Sequence, residues 1–190
     1  MTDQVDSLLA LRSLLATRSA RRGQFTLASG RISTLYIDAR LTTMSPEGLA
    51  LIGPVGLGAI RHAGWSVDAI GGLTLGADPI AYAISYASAL EGDALVRAFT
   101  VRKEAKAHGT GQLIEGPFLA GDRVAIVEDV ITTGGSALQA AEAVRAAGGQ
   151  VVGVLALVDR QEGGREALER AGLEVRSLTR ASEIVALLPT

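Results

Sequence analysis

Two adjacent carboxylates, Glu128 and Asp129, follow four apolar, mostly β-branched residues, Val124 to Val127. The small, hydroxyl-rich string Thr132-Thr133-Gly134-Gly135-Ser136 comes next, and an Ala-rich helical pattern opens directly after it, at Ala137 to Ala147. The apolar run predicts a buried parallel strand, and the acids arrive where that strand is expected to end. A strand, a turn of small residues and a helix N-terminus make an anion site, because free backbone N–H groups and the positive end of the helix dipole face one point. Glycines let the backbone approach a phosphate closely, and Thr and Ser hydroxyls add donors. Acids just ahead of such a cradle fit a ligand that carries hydroxyls or a bound Mg2+ beside its phosphate, as a phosphorylated sugar does. Taken alone, the string would serve equally as an ordinary βα turn capped by Thr or Ser, with both acids solvated.

Three further groups carry chemistry. Arg102, Lys103, Lys106 and His108 place four groups that are, or can become, cationic within seven residues, followed by Gly109 and Gly111. A lid closing over a polyanionic leaving group needs that density of charge; a solvated basic loop is the plain alternative. Gly71-Gly-Leu-Thr-Leu-Gly-Ala-Asp-Pro79 follows another short apolar run and precedes a helical pattern, so it is a second candidate anion cradle or a simple glycine turn. Arg160 follows the apolar run Val151 to Val158. At the carboxyl edge of a sheet its planar fork can grip a carboxylate at two points, although taken alone this arginine reads as a surface ion-pair partner.

The elements that must position these groups alternate along the chain. Leucines at helical spacing predict a helix over residues 3–17, and Arg18, Arg21 and Arg22 read as its solvated basic end. A short strand near Phe25, a Ser29-Gly30 turn and a strand at Leu35 to Asp38 form a hairpin. Ser45-Pro46-Glu47 starts a helix that runs towards Ala63-Gly64. Strands are then expected at 67–70, 95–101, 124–127, 151–158 and 173–177, with helices at 80–90, 137–147, 165–171 and from Ser182. This alternation predicts an α/β fold with a mostly parallel central sheet, flanked by helices, and ligands over the strand C-termini.

Bulk properties narrow the function. With 190 residues, 48% hydrophobic and 20% charged, the chain has the composition of a globular protein with a sizeable core. A formal charge of −2 argues against broad electrostatic binding of nucleic acid. The absence of cysteine excludes disulfides and thiolate metal sites, and two histidines, His62 and His108, are too few and too separated for a zinc site. Neither a Walker-type phosphate loop, a Gly-x-Gly-x-x-Gly nor a Gly-x-Ser-x-Gly motif occurs. The N-terminus lacks a basic-then-apolar leader, and Pro54 and Asp78-Pro79 interrupt the most apolar regions, so no membrane association and a cytoplasmic location are expected.

The string Val124 to Ser136 resembles the phosphoribosyl-diphosphate signature of type I phosphoribosyltransferases. Arg102-Lys-Glu-Ala-Lys-Ala-His-Gly109 resembles the catalytic loop of orotate phosphoribosyltransferases. Phe25-x-x-x-Ser29-Gly30 ahead of Tyr36, and Asp159-Arg160-Gln161-Glu162, are similar to further segments of that family. The matches run in order from about Phe25 to Glu162, with one departure: Ala28 stands where many members carry a substrate-contacting Lys. The resemblance implies a type I phosphoribosyltransferase fold, with a small hood from the N-terminal region. Residues 1–190 would form one domain, 1–40 supplying the N-terminal helix and hood segment and 41–190 the core. It implies transfer of ribose 5-phosphate from phosphoribosyl diphosphate to orotate in pyrimidine synthesis, with Mg2+ as cofactor. It also implies a homodimer whose basic loops reach into neighbouring sites.

The same resemblance assigns roles. Glu128 and Asp129 would hold the ribose hydroxyls. Thr132, Thr133, Gly134, Gly135 and Ser136 would cradle the 5′-phosphate, with Val130 and Ile131 in the same string. Arg102, Lys103, Lys106 and His108 would neutralise the diphosphate together with Mg2+, the loop at 71–79 would touch it, and Thr132 and Arg160 would position orotate. Lys106, Asp129, Lys103 and His108 form the catalytic set, and no protein group is assigned as a metal ligand. A phosphoribosyltransferase for another base would keep the acid string without needing Arg160 or the full basic loop. A regulator that senses phosphoribosyl diphosphate would add a DNA-binding module or a basic face, which the charge of −2 and the short N-terminal region do not offer. Lys106→Ala is expected to lower turnover by about two to three orders of magnitude while circular dichroism shows an intact fold. Near-normal turnover in that variant would remove the lid mechanism.

Overall fold

The computed structural model describes residues 2–26, 32–92, 94–104 and 113–189. Helix α1 (Thr2–Leu14) buries Leu11 and gives way to a π turn at Leu15–Ser19, instead of continuing as a regular helix to residue 17. At that turn Ser19 and Thr42 share a buried 2.7 Å hydroxyl contact. Strands β1 (Ala20–Thr26) and β2 (Ile32–Ile37) pair antiparallel, with Ala20 opposite Ile37. The expected Ser29-Gly30 turn and Ala28 lie outside the described residues. The arginine cluster is not a bare helix end. Arg18 pairs with Glu47 at 3.0 Å, and Arg22 Nη2 donates to the Val185 carbonyl at 3.1 Å.

After the short α2 (Arg40–Thr43), helix α3 (Pro46–His62) starts as expected. Ser45 Oγ accepts the Gly48 N–H at 3.1 Å, Pro46 needs no donor at the first position, and Glu47 meets the positive dipole end. The helix runs through Pro54, because the buried stripe Ile52, Val55 and Ile60 offsets the lost backbone bond.

A six-stranded sheet follows in the order β5-β4-β3-β6-β7-β8. Its strands are β3 (Ala69–Leu73), β4 (Arg97–Val101), β5 (Ile114–Glu115), β6 (Arg123–Ile131), β7 (Gln150–Asp159) and β8 (Val175–Arg180). All neighbours are parallel except β4 and β5. The connecting helices are α4 (Ala77–Glu91), α5 (Gly135–Ala146), α6 (Gly164–Arg170) and α7 (Ala181–Val185). Side chains alternate along each strand, so β6 and β7 feed two cores. Ala125, Val127, Leu155 and Leu157 pack with α3 and α4 residues on one face. Val124, Ile126, Val154 and Ala156 pack with α5 residues and Leu168 of α6 on the other.

Two boundaries differ from the sequence reading in ways that matter for the site. Strand β6 does not end at Val127 but continues to Ile131, because Glu128, Val130 and Ile131 still pair with Ala156, Val158 and Asp159 of β7. The acids therefore lie within a strand. Gly71 and Gly72 likewise belong to β3 rather than to the loop after it, which begins at Thr74. A Cβ at Gly72 would overlap the Val127 carbonyl oxygen, so glycine is what lets β3 and β6 run this close. Gly72→Ala is expected to cost about 1–3 kcal/mol by overpacking, read as a lower urea midpoint. An unchanged midpoint would contradict that packing.

Candidate active site

Strand β3 leads leftward in the sheet to β4, whereas β6 leads the other way to β7 and β8. Helices α4 and α5 leave these adjacent strands towards opposite faces. Such a switch of direction opens a crevice beyond the carboxyl ends of the strands, and a cleft of about 410 Å³ lies there. Glu128 and Asp129 of β6, Leu73 to Gly76 after β3, Thr132 and Ser136 before and within α5, Lys103, Arg160 and the end of β2 line it.

The acid pair dominates the electrostatics. Glu128 Oε2 is buried without a hydrogen-bond partner among the described residues. Burial first, and the neighbouring Asp129 carboxylate second, push the Glu128 pKa from the ordinary 4.5 up to about 8. Asp129 Oδ1 accepts the Val130 N–H at 2.9 Å. The opposite wall is pressed against this group: a Cβ at Gly76 would lie 2.5 Å from the Asp129 carboxyl. The Thr74–Leu75 peptide in that wall is cis.

The turn after β6 supplies the complementary charge. Gly134 adopts the left-handed conformation, φ 83°, at the N-cap of α5, and no side chain caps the helix. The first helical bond runs from Leu138 N to Gly134 O, so the N–H groups of the first turn have no intrahelical partner. Thr132, Thr133, Gly135 and Ser136 are exposed around them. An anion seated there meets backbone donors and the dipole together.

Arg160 departs from the picture of a surface ion pair. Its side chain is only 7% exposed, and its Nη2 donates to Glu162 Oε1 at 2.7 Å, the Leu35 carbonyl at 3.2 Å and Ser33 Oγ at 3.3 Å. Its Nε is buried without a partner among the described residues. The hairpin strand β2 thus clamps an arginine that lines the cleft. At the base of the basic loop, Arg102 stands 3.6 Å from Glu115, and the Lys103 carbonyl accepts Gln139 Nε2 of α5 at 3.2 Å.

Of the residues expected from sequence, Lys103, Glu128, Asp129, Val130, Thr132, Ser136 and Arg160 meet in one cleft. Arg102, Ile131, Thr133, Gly134 and Gly135 do not line it. Ile131 is buried in the α5-side core, and Gly134 shapes the turn. Lys106 and His108 lie outside the described residues. Sequence reasoning missed Tyr36, Asp38 and Arg40, which line the cleft from the hairpin side. Arg40 grips Asp38 through two bonds of 2.8 and 3.0 Å and holds its carboxyl below the usual range. Strand β2 ends at Ile37 and Arg40 opens α2, so the three sit on no common strand face and no single periodicity in the sequence linked them. Among the described residues no three His, Cys, Asp or Glu side chains gather into a metal cage, and no helix is long and apolar enough to cross a membrane.

A model of the phosphoribosyl transferase domain matches residues 51–183. An orotate phosphoribosyltransferase from Aquifex aeolicus is 45% identical over 183 residues, covering 96% of this chain and 97% of its own length. One from Rhodopirellula baltica is 46% identical over 176 residues, covering 90% and 91%. The crystal structure of Mycobacterium tuberculosis orotate phosphoribosyltransferase with 5-phospho-α-D-ribosyl 1-diphosphate superposes with a TM-score of 0.78 at 41% identity, covering 94% of this chain and 99% of that one.

The raised pKa of Glu128 makes a signed prediction. Between about pH 4.5 and 8 the folded chain holds a proton that the unfolded chain has released, so stability from this site falls as pH rises through that window. Glu128→Gln, which removes the charge, is expected to match wild type in Tm at pH 5 and to exceed it by several degrees at pH 8.5. Parallel Tm profiles for the two proteins would contradict the assignment.

Proposed function

This chain belongs to the orotate phosphoribosyltransferase family, and from that premise we propose how its cleft performs the transfer. Orotate and phosphoribosyl diphosphate give orotidine 5′-monophosphate and diphosphate, a step of pyrimidine synthesis. The bond from the ribose anomeric carbon to the diphosphate oxygen breaks, its electron pair leaving with the diphosphate, while orotate N1 bonds to that carbon and gives up its proton to the departing diphosphate. The transition state has oxocarbenium character, so the protein acts by position and electrostatics.

The observation that carries this reading is the convergence on one cleft of two adjacent acids, a helix N-terminus with free N–H groups among the described residues, and a buried arginine. Glu128 and Asp129 accept the ribose hydroxyls, whose donors answer the unpartnered Glu128 Oε2. Thr132 to Ser136 hold the 5′-phosphate on the first turn of α5. Arg160, fixed by β2 and Glu162, meets the orotate carboxylate, and Thr132 flanks the base. Lys103, with Arg102, Lys106 and His108 of the same basic loop, neutralises the departing diphosphate.

The described residues fit a Mg2+ that arrives on the diphosphate. They assemble no cage of their own, and an ion that retains waters and phosphate oxygens needs none. When bound, it supplies positive charge to the leaving group. The apolar groove of about 630 Å³ between α3 and α4, with Tyr86 and Leu90 exposed on it, is the face we assign to a second copy of the chain. Lys103 then serves its own cleft, and the basic loop beyond it serves the partner's. Residues 1–190 act as one domain, and the cytoplasm is the proposed location.

Loss of orotate ultraviolet absorbance with phosphoribosyl diphosphate and Mg2+, with uracil and hypoxanthine run in parallel, tests the reading. Turnover of orotate alone is expected; turnover of another base alone, or of none, would contradict it. Arg160→Ala should raise KM for orotate by about tenfold or more, leaving KM for phosphoribosyl diphosphate within about threefold. Equal losses for both substrates would remove its carboxylate role.

A further inference from the structure

Asp78 is a buried carboxylate, 8% exposed, that none of these roles uses. It stands in the first turn of α4, and both its oxygens accept hydroxyl hydrogens. Thr74 Oγ1 donates to Oδ2 at 2.7 Å, and Thr100 Oγ1 donates to Oδ1 at 2.8 Å. Thr100 has a single hydroxyl hydrogen, and the carboxylate takes it. Tyr82 must therefore be the donor in its 2.8 Å contact with Thr100 Oγ1. The result is a directed chain from Tyr82 through Thr100 to Asp78, met on the other oxygen by Thr74. An aspartate that served α4 alone would accept first-turn backbone N–H groups. This one instead joins the loop before its helix to the neighbouring strand β4.

Thr74 belongs to the cleft wall formed by residues 73–76. Its N–H donates to the Val101 carbonyl at 2.8 Å, and its hydroxyl is held by Asp78. Two residues on, the Gly76 backbone lies against the Asp129 carboxyl, with no room there for a Cβ. Leu73, Leu75 and Gly76 offer no side-chain donors, so this wall can meet an anion only through backbone N–H groups. Backbone groups cannot adjust by changing rotamer. Their placement must come from whatever fixes the loop, and two bonds on Thr74 do so.

We propose that Asp78 is a positioning residue which, through Thr74 and Thr100, sets the wall at 73–76 for the diphosphate of the phosphoribosyl donor. Tyr82 carries the same chain to the exposed apolar face of α3 and α4, so the surface assigned to a second copy is linked to the diphosphate wall. This inference rests on the reading of the cleft as the phosphoribosyl-diphosphate site.

The test is calorimetric binding of diphosphate with Mg2+, together with steady-state KM for both substrates. Thr74→Val removes the hydroxyl at nearly constant volume, Thr74→Ser keeps it, and Asp78→Asn retains the shape without the charge. Thr74→Val and Asp78→Asn are expected to bind diphosphate about tenfold more weakly and to raise KM for phosphoribosyl diphosphate alike. KM for orotate should stay within about twofold, and Thr74→Ser should restore binding. Tyr82→Phe keeps the ring on the apolar face and should weaken diphosphate binding with no change in sedimentation mass. Wild-type affinity in Thr74→Val, or equal losses in Thr74→Val and Thr74→Ser, would overturn the proposal. If Asp78→Asn fails to fold, the Thr74 pair decides. No binding of diphosphate by the wild type would overturn the site reading itself, and this inference with it.

Discussion

Two carboxylates side by side within strand β6, with no ion pair among the described residues, set the terms for everything around them. Like charges a few ångströms apart repel strongly where water is excluded. The conflict shows in the raised pKa of Glu128, whose Oε2 has no hydrogen-bond partner among the described residues. An arrangement of this kind costs stability, which marks the pair as a candidate for completion by a ligand. In the proposed reading a sugar would answer it with hydroxyl donors, and its phosphate would meet the N-terminus of α5 a few residues away.

The fold brings those two needs together through one topological feature. Strands β3 and β6 are neighbours although some fifty residues separate them, and their helices leave to opposite faces. Both α4 and α5 therefore begin at the same crevice, each adding positive potential next to the acids. The glycines at 72 and 76 are the local condition for this. Larger residues would hold β3 away from β6, or drive the loop into Asp129, and the crevice would lose its shape. The hairpin then closes a third side through the buried Arg160.

Local chemistry was legible in the sequence wherever it was contiguous. The run from Val124 to Ser136 states strand, acids, turn and helix in order, and the order of layers followed from alternation alone. The end of β6 was misplaced because the acids Glu128 and Asp129 discourage a strand, while pairing with Val158 and Asp159 of β7, which no local pattern reveals, carries it to Ile131. Gly71 and Gly72 looked like a loop since glycine weakens strands; their use here is close approach between backbones. Arg160 was recognisable as a candidate, but not its burial. Ser33 and Leu35 lie more than a hundred residues away, and only the folded hairpin brings them to its guanidinium.

If the acid pair is completed by ribose hydroxyls, the most direct measurement is the affinity of the protein for ribose 5-phosphate against 2-deoxyribose 5-phosphate. The two sugars carry the same phosphate for the α5 N-terminus and differ by one hydroxyl donor. Loss of a hydrogen bond to a buried charged group predicts at least about tenfold weaker binding of the deoxy sugar. That gap should shrink in Glu128→Gln or Asp129→Asn. Equal affinity for the two sugars in the wild-type protein would mean that the carboxylates do not read the ribose, and the account of the cleft would fail at its centre.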